Sequence, residues 1–452
     1  MKDNAPPDSR PDAVTAQAVP RPALTLLDST CLIVGIIIGA GIYQMAPAIA
    51  QGAGSAEGVL GIWLLGGLLS LCGALSYAEL ATAYPKEGGD YVYLNRAYGP
   101  WAGFLFGWAQ LAIVRPGDIA VMAFAFATYA RAVWDPFAGT SFPYGQQAFA
   151  VGATALLTWI NVLGVREGKW TQNLLTGVKA LGLLFIVGTA CVAPPAGAEV
   201  APAQGAPPFS LALIFVLFTY GGWNEMAYVA AEVKDSRRNI VRALCLGMAA
   251  VTGLYLLVNA AFLWVLGYGG LTASDAVAAE TVAKVLPSLG GPLIAALVCI
   301  SALGAVNGLV FTGARISYAM GADHRLFRAL GRWHPRRGTP AAALVAQGAI
   351  AIVLILVLGS FVDAVLYTAA VVYTFYLAST LAVIVLRRKE PEVERPYRVP
   401  GYPFTPLLFA AVCLFLIQSA VRYKPEVAAV ACLLLLAGVP LWRKSRSREP
   451  AT

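Results

Sequence analysis

The chain has 452 residues, of which 58% are hydrophobic and only 12% are charged, and its formal net charge is +8. Soluble globular domains carry about 25% charged residues, so this chain lacks the polar surface that a soluble protein of its length needs. Composition therefore excludes soluble, collagen-like, disordered and disulfide-stapled classes, and it indicates a protein that crosses a membrane many times.

The predicted elements begin with a polar, proline-rich segment, residues 1–22, which we interpret as a disordered tail. Twelve apolar runs follow, most of them near the about 20 residues that a helix needs to cross a bilayer. Their approximate limits are 25–50, 57–83, 101–133, 148–164, 171–192, 209–231, 242–267, 291–319, 341–360, 363–386, 404–421 and 426–442. We therefore predict an all-α integral membrane protein with twelve transmembrane helices, called spans 1 to 12 below, and a short tail at 444–452.

Positive charges assign a side to each loop. If residues 1–22 are cytoplasmic, 25 of the 32 Lys and Arg residues lie in cytoplasmic segments, four in outer loops and three within spans. This asymmetry obeys the positive-inside rule, so both termini are predicted to face the cytoplasm, with the chain in a plasma or inner membrane. The excess positive charge then faces an anionic leaflet and gives no reason to expect a nucleic-acid partner.

Cysteine and histidine usage argues against a metal centre or a disulfide framework. The seven cysteines are odd in number, none forms a CxxC pair, and all lie in or beside apolar runs. Such cysteines behave as small buried apolar residues. The only two histidines, His324 and His334, share one basic loop. We expect neither a metal nor any other cofactor.

Glycines interrupt spans 1 and 6 near their middles. Span 1 contains GIIIGAGI from Gly35 to Ile42, and span 6 contains FTYGGWN from Phe218 to Asn224. Taken singly, either cluster suits close helix packing, since Gly35 and Gly39 form a GxxxG pair. Their positions five spans apart instead favour an inverted-repeat transporter, with repeats at residues 23–192 and 209–387.

Backbone chemistry at such breaks suggests a ligand. A helix unwound in mid-membrane presents N–H groups at the start of one half and carbonyls at the end of the other. The N–H groups and the positive helix end suit a carboxylate, and the carbonyls suit an ammonium. α-Amino acids carry both groups at a fixed separation, and glycine leaves room for their approach. The two breaks therefore predict a site for α-amino acids.

Six sequence blocks in order carry a family resemblance. They are VGIIIGAGIY in span 1, SYAELATAYPKEGGDYVYL from span 2 onward, Arg115-Pro116 in span 3, FTYGGWNEMAYVAAEVKDSRRNIVRA around span 6, ALGAVNGLVFTGARISYAMG in span 8 and ERPYRVPGYP before span 11. The chain resembles the L-type amino-acid transporter (light-chain) family of the amino acid–polyamine–organocation superfamily. The resemblance implies a five-plus-five inverted-repeat fold, with spans 11 and 12 (403–443) peripheral. It also implies sodium-independent amino-acid transport by alternating access, commonly as obligatory exchange.

The resemblance also assigns residues to the site. The substrate carboxylate would meet the amides of Gly39, Ala40 and Gly41. The α-ammonium would meet carbonyls of four residues, namely Ile37, Phe218, Thr219 and Gly221. Asn224 would line or gate the side-chain pocket, with Tyr220 and Trp223 as further gating residues.

Three features depart from the family pattern. Many relatives carry serine where Ala40 stands, so one side-chain hydrogen bond to the carboxylate is expected to be missing. Glu225 stands where an aromatic or neutral residue is usual. Animal members have a cysteine in the outer loop after span 3 that links them to a glycoprotein heavy chain. Residues 132–147 contain no cysteine, so we expect no disulfide-linked heavy chain.

Charged residues inside spans need partners or tasks. Lys179 lies in mid-span 5, where a lysine costs about 2.5–3.5 kcal/mol, and about eight residues of helix separate it from the inner interface, too far for easy snorkelling. The resemblance places its ammonium where sodium-coupled relatives bind an ion, bridging span 5 to spans 1 and 8, with Ser301 as the expected acceptor. We therefore expect no coupled sodium.

Arg115 and Asp118 stand three residues apart on one face of span 3, within pairing distance. We interpret them as a mutually neutralised structural pair. The alternative is that Asp118, like Glu225, touches the substrate side chain.

Other functional classes fit less well. No carbonyl filter or charged ring indicates a channel, no catalytic motif indicates an enzyme, and the short tails leave no output domain for a receptor. We predict a transporter that exchanges neutral, small to medium L-amino acids, and Glu225 is the feature that opposes this preference. Proton-coupled symport remains the alternative mechanism, because proton-coupled members of the superfamily also use a span-5 lysine. A uniporter and a cationic-amino-acid permease are less favoured alternatives.

Overall fold

The computed structural model describes residues 22–86, 88–138, 143–196, 207–357, 361–423 and 425–445. Within these ranges the chain forms α-helices, with no β-strand beyond isolated bridges. The predicted tail 1–22 (apart from residue 22), residues 139–142 of the outer loop and most of the tail 444–452 lie outside the described residues.

The helices, in chain order, divide the chain at the predicted loops. They are α1 Leu26–Ile37, α2 Gly41–Gln44, α3 Ala46–Ala53, α4 Ala56–Ala83, α5 Asp90–Tyr98, α6 Pro100–Ala109, α7 Arg115–Val133, α8 Gly145–Leu163, α9 Val165–Val192, α10 Phe209–Thr219, α11 Glu225–Tyr228, α12 Ser236–Ala273, α13 Val277–Ala283, α14 Gly290–Asp323, α15 Ala341–Val357, α16 Phe361–Lys389, α17 Phe404–Tyr423 and α18 Pro425–Ser445. Each of the twelve predicted runs overlaps at least one of these helices.

Length and composition make eight segments of the described chain able to cross a membrane. They are Leu26–Gln44, Ala56–Ala83, Pro100–Val133, Val165–Val192, Ser236–Ala273, Gly290–Asp323, Ala370–Lys389 and Phe404–Arg422. Phe209–Thr219 and Ala341–Val357 are shorter apolar helices. The chain is therefore a multi-pass membrane protein built of helices.

Spans 1 and 6 are broken where the glycines predict it. In span 1, α1 ends at Ile37, and α2 begins at Gly41 after three non-helical residues. In span 6, α10 ends at Thr219 and α11 begins at Glu225. Gly222, between them, has a φ of +115°, and a Cβ there would come within 2.7 Å of Ile36 in span 1. A side chain would therefore both strain this backbone and push the two breaks apart.

Span 3 contains an irregular turn that the sequence did not predict. A π-helical turn, Gln110–Val114, joins α6 to α7. Pro116, in the first turn of α7, lacks the N–H that would donate to the carbonyl of Ala112 within this turn in a regular helix. A π turn shifts the register of the helix that follows, and such turns are frequent at functional sites.

The broken helices lie inside the bundle. The α1 helix packs against α9, α12 and α14, and α14 in turn packs against α7, α8 and α15. The last two helices lie on the outside of this group, with α17 against α16 and α4, and α18 against α6 and α16. The two breaks are thus enclosed by protein, as irregular backbone at membrane depth must be.

Candidate functional site

A cavity lies between the two breaks, and its walls also come from α7, α14 and α16. Its volume is about 90 Å³, whereas a single water needs about 10–15 Å³, so it has room for a small organic molecule. Eight of the predicted site residues line it, namely Ile37, Gly39, Gly41, Asp118, Phe218, Thr219, Gly221 and Glu225. Predicted residues from three different spans, 1, 3 and 6, are therefore brought to one cavity.

The span-1 break supplies hydrogen-bond donors. Among the described residues, no acceptor pairs with the backbone N–H of Ala40 or Gly41. The N–H of Gly39 differs, because it donates to the carbonyl of Ile37 over 2.8 Å. Two of the three amides predicted for a carboxylate thus have a free N–H, and the third has an internal partner.

Gly41 lies directly against the span-6 side of the cavity. A Cβ at this position would be 2.9 Å from Thr219 Oγ1 and 3.1 Å from Thr219 Cγ2. The Thr219 hydroxyl is fixed, since it donates to the carbonyl of Phe215 over 2.8 Å. Glycine is therefore required here for the two breaks to approach each other.

The carbonyls on the span-6 side are partly satisfied within the protein. The Phe218 carbonyl accepts from the N–H of Gly221 over 2.9 Å. A carbonyl oxygen has two lone pairs, so the Phe218 carbonyl can still accept a hydrogen bond from an ammonium.

A tyrosine that the sequence analysis did not identify joins the two breaks. The hydroxyl of Tyr255 on α12 donates to the Ile37 carbonyl at 2.9 Å and lies 3.3 Å from the Thr219 carbonyl. Tyr255 is fully buried, and its ring packs edge-on against Trp63 and Tyr220. A tyrosine inside an apolar run is itself a signal, because a buried hydroxyl usually requires a partner.

The substitution Tyr255→Phe should weaken transport while preserving the fold. It removes the hydroxyl that holds the Ile37 and Thr219 carbonyls together but keeps the ring packing. Losing one such bond predicts an apparent substrate affinity about tenfold lower, measured as the concentration for half-maximal uptake. Tyr98→Phe is the matched control, because the Tyr98 hydroxyl on α5 donates to the carbonyl of Ala378 and to neither break. An equal loss of affinity in both variants would mean that joining the two breaks is not what the Tyr255 hydroxyl contributes.

Lys179 is fully buried and connects three helices at the span-1 break. Its Nζ donates to the carbonyls of Gly35 at 2.6 Å, Ile38 at 2.7 Å and Ser301 at 3.0 Å. The expected contact with Ser301 is therefore made through its backbone carbonyl. The Ser301 hydroxyl binds the break directly, 3.0 Å from the Ile38 carbonyl and 3.1 Å from that of Gly39.

Arg115 does not form the expected ion pair with Asp118, although the two charges attract each other. Arg115 Nη2 instead forms an ion pair with Glu225 Oε1 at 2.6 Å, and both side chains are almost fully buried. Arg115 Nε donates to Gln110, and the second Glu225 oxygen accepts from the Thr312 hydroxyl. The break in span 6 brings Glu225 to the first turn of α7, so the pair forms between helices and not along one.

Comparison with known proteins identifies the family. The family model for amino acid permeases matches residues 24–437, which is most of the chain. The chain belongs to the amino acid permease family. This permease is a membrane transporter and not an enzyme.

Three relatives show how far the similarity extends. The mouse b(0,+)-type amino acid transporter 1 is 32% identical over 91% of the permease and 85% of its own length. The human large neutral amino acids transporter small subunit 2 is 33% identical over 92% of the permease and 79% of its own length. The serine/threonine exchanger SteT of Bacillus subtilis is 31% identical over 94% of the permease and 97% of its own length. The similarity to L-type transporters inferred from motifs is confirmed.

The remaining predicted residues of the permease do not line the cavity. Asn224 contacts the cavity lining from behind. Its side-chain oxygen accepts a hydrogen bond from the hydroxyl of Tyr376, which is a lining residue, and its amide group donates to Tyr228. Tyr228 in turn donates to buried Asp90. Trp223 packs in an aromatic cluster with Tyr77, Tyr376 and Phe409, and Tyr220 donates to the carbonyl of Trp63. These side chains support the wall of the cavity.

Proposed function

We propose that the permease exchanges L-amino acids across the cell membrane by alternating access, without sodium. One observation carries this proposal: two helix breaks face one cavity, with free N–H groups on one side and carbonyls on the other. The N–H groups of Ala40 and Gly41 suit the substrate carboxylate, and the carbonyls of Phe218, Thr219 and Gly221 suit its ammonium. The name of the Bacillus subtilis relative, an exchanger, supports the exchange mode.

The architecture that we propose has twelve transmembrane helices in two inverted repeats, 23–192 and 209–387, with 403–443 peripheral. The breaks in spans 1 and 6 support this arrangement, because they occupy equivalent places if each repeat has five spans. The outer position of α17 and α18 agrees with it. The distribution of Lys and Arg supports cytoplasmic termini.

The contacts of Lys179 support sodium independence. Its ammonium occupies a cluster of three carbonyls contributed by the span-1 break and by α14. Backbone carbonyls of this kind are also the ligands that a transporter offers to sodium at an unwound helix. A fixed cation in this place makes a mobile one unnecessary.

The side-chain environment supports neutral amino acids as substrates. Among the described lining residues there is no Lys or Arg that would attract an acidic side chain. The carboxylate of Glu225, which opposed this assignment, is neutralised by Arg115. The name of the human relative, a transporter of large neutral amino acids, agrees with this class of substrate.

Counterflow in liposomes tests the mode of transport. Purified permease should accumulate a labelled neutral L-amino acid only when unlabelled amino acid is present inside. Replacing sodium by choline should leave the rate unchanged, because Lys179 already fills the cation position. A steep rise of uptake with sodium would contradict the proposal. Uptake into empty liposomes that depends on an inward proton gradient would favour symport.

The single chain should be active without a partner subunit. Residues 132–147, the outer loop after span 3, contain no cysteine that could form a disulfide to a heavy chain. We therefore expect transport by the purified chain alone in reducing and non-reducing buffer alike. A requirement for an added membrane glycoprotein, measured in the same liposomes, would contradict this expectation.

A further inference from the structure

Five basic side chains gather where α14 and α18 end, on the side of the membrane that the proposed topology makes cytoplasmic. Arg325, Arg328 and Arg332 belong to the segment after α14, and Arg443 and Lys444 belong to the last turn of α18. We call these five residues the basic surface. All of them are exposed, and none forms an ion pair with another residue of the described chain. Contacts within that part of the protein therefore do not neutralise their charge.

The end of α18 is docked onto the segment that follows α14. Ser445 Oγ lies 3.2 Å from His324 Nδ1, and the same hydroxyl donates to the carbonyl of Trp442 at 2.9 Å. Ser445 and His324 are both buried. α18 also packs against α6 and against the short 3-10 turn Arg325–Phe327. The cations of the two segments are thus brought to one part of the protein surface.

Apolar contacts fix the segment after α14 in place. The ring of His324 packs edge-on against Phe104 of α6, with the ring centroids 4.8 Å apart, and Phe327 lies 6.0 Å from the same Phe104 ring. A Cβ at Gly321 in α14 would collide with the backbone of Gly331, so the segment folds closely back onto the helix. Its apolar rings therefore face the protein, and the arginines between them are held outside on an ordered backbone.

Few carboxylates oppose this positive charge. Residues 324–340 contain no Asp or Glu. Asp323, the residue before them, is exposed and accepts a hydrogen bond from the Tyr91 hydroxyl at 2.8 Å. Glu426 of α18 lies in the first turn, at the opposite end of the helix. Residues 446–452, outside the described range, add two arginines and one glutamate. Asp323 offsets one of the five charges, and an excess of positive charge remains.

The surroundings of the basic surface point to lipid as its partner. α18 lies on the outside of the helix bundle, where Leu433 and Leu436 are largely exposed. Leu326, between the first two arginines of the surface, is 55% exposed. Exposed apolar side chains beside Lys and Arg are typical of segments that lie at a membrane interface. Arginine also matches the geometry of a phosphate group, with two parallel hydrogen bonds.

We propose that the basic surface binds the phosphate headgroup of an anionic phospholipid and that this lipid holds the end of α18 to α14. The arginines and Lys444 contact the headgroup, and Leu326 lies against the acyl chains. Assignment to the cytoplasmic leaflet rests on the topology in the proposed function, whereas binding itself requires no transported substrate. Basic residues near an anionic leaflet are attracted to it in general, and the ordered arrangement of these five makes one localised site.

Thermal unfolding of the purified permease in a neutral detergent tests the proposal. The protein is titrated with dioctanoyl phosphatidylglycerol, and dioctanoyl phosphatidylcholine is the neutral lipid of equal chain length. Because a ligand of the folded state raises Tm, phosphatidylglycerol should raise it saturably and phosphatidylcholine should not. Equal stabilisation of the wild type by both lipids would overturn the proposal.

Two triple variants localise the site. The first removes the three arginines after α14, as Arg325→Gln, Arg328→Gln and Arg332→Gln. The matched control removes three other exposed arginines that form no ion pair in the described chain, as Arg166→Gln, Arg238→Gln and Arg242→Gln. The first variant should need about 100-fold more phosphatidylglycerol for half of the Tm shift, since each basic residue near an anionic surface contributes about fivefold. The control should stay close to the wild type. An equal loss in both would show a general charge effect and would contradict a localised site.

Further arms separate charge from packing and lipid from other anions. Replacing the same three arginines by lysine keeps the charge and should retain most of the affinity, and a loss as large as with glutamine would overturn the electrostatic role. If the glutamine variant does not fold, the wild-type titrations still decide. Equal stabilisation by glycerol phosphate would assign the surface to a free phosphate ligand, and equal stabilisation by polyglutamate would assign it to an acidic protein. Either result would overturn the lipid assignment. Failure of amino-acid exchange would overturn the proposed function and would leave this binding test unaffected.

Discussion

The substitution Gly41→Val is expected to reduce transport by about 100-fold or more, because displacement by about 1 Å at a substrate-positioning site has effects of this size. A Cβ at Gly41 would already lie 2.9 Å from the fixed Thr219 hydroxyl, and valine adds two methyl groups. The span-1 and span-6 breaks must then separate. The N–H groups and the carbonyls proposed for one amino acid would no longer be at the correct distance.

A matched valine distinguishes this effect from a general intolerance of mutation. Gly177 lies on the exposed face of α9, and a Cβ there would have no heavy atom within 4 Å. Both variants add the same side chain to a glycine of a transmembrane segment. Substrate binding and thermal stability of the purified variants should be measured together. Normal substrate binding by Gly41→Val would show that the substrate does not bind at the span-1 break.

The substitution Lys179→Ala is expected to lower the rate of exchange by about 100-fold. Buried carbonyls would lose the ammonium that donates to them, and leaving buried polar groups without a partner destabilises the backbone around them. Three carbonyls, those of Gly35, Ile38 and Ser301, lose their common donor. Two of them belong to α1 and its break, so the backbone next to the carboxylate site should shift. Both apparent affinity and turnover should fall.

Two further variants define what Lys179 contributes. Lys179→Met keeps most of the side-chain volume and should be as defective as alanine if the ammonium is what matters. Lys284→Ala is the control, because Lys284 is exposed at the end of α13. The measurement is initial exchange rate at several substrate concentrations. Near-normal exchange by both Lys179 variants would show that the lysine has no role in the cycle.

Features encoded by local sequence could be predicted. The glycines of GIIIGAGI and FTYGGWN mark the two breaks, because an interrupted helix needs residues that tolerate unusual backbone and close approach. The contact of Lys179 with spans 1 and 8 followed from its depth in the membrane and from the family resemblance. In both cases the position of the residue along its own helix was sufficient to suggest its role, and for Lys179 the family resemblance supplied the partners.

Contacts that depend on how a helix is rotated could not be predicted in the same way. Arg115 and Asp118 share a face of α7, but the partner of Arg115 is Glu225, 110 residues away in sequence. Pro116 marks an irregularity near this position but does not specify a π-helical turn, and that turn changes the register of the residues that follow. Tyr255 was missed for the same reason, since nothing local to α12 shows that it faces both breaks.

The most direct test of the paired-break site is a structure of the permease with a bound neutral L-amino acid. The account predicts ligand density between the breaks, with the carboxylate in hydrogen-bonding distance of the N–H groups of Ala40 and Gly41. The ammonium should lie against the carbonyls of Phe218, Thr219 and Gly221, and the side chain should point toward α7 and α16. Density for the amino acid elsewhere, with the cavity between Gly41 and Thr219 filled only by water, would contradict it.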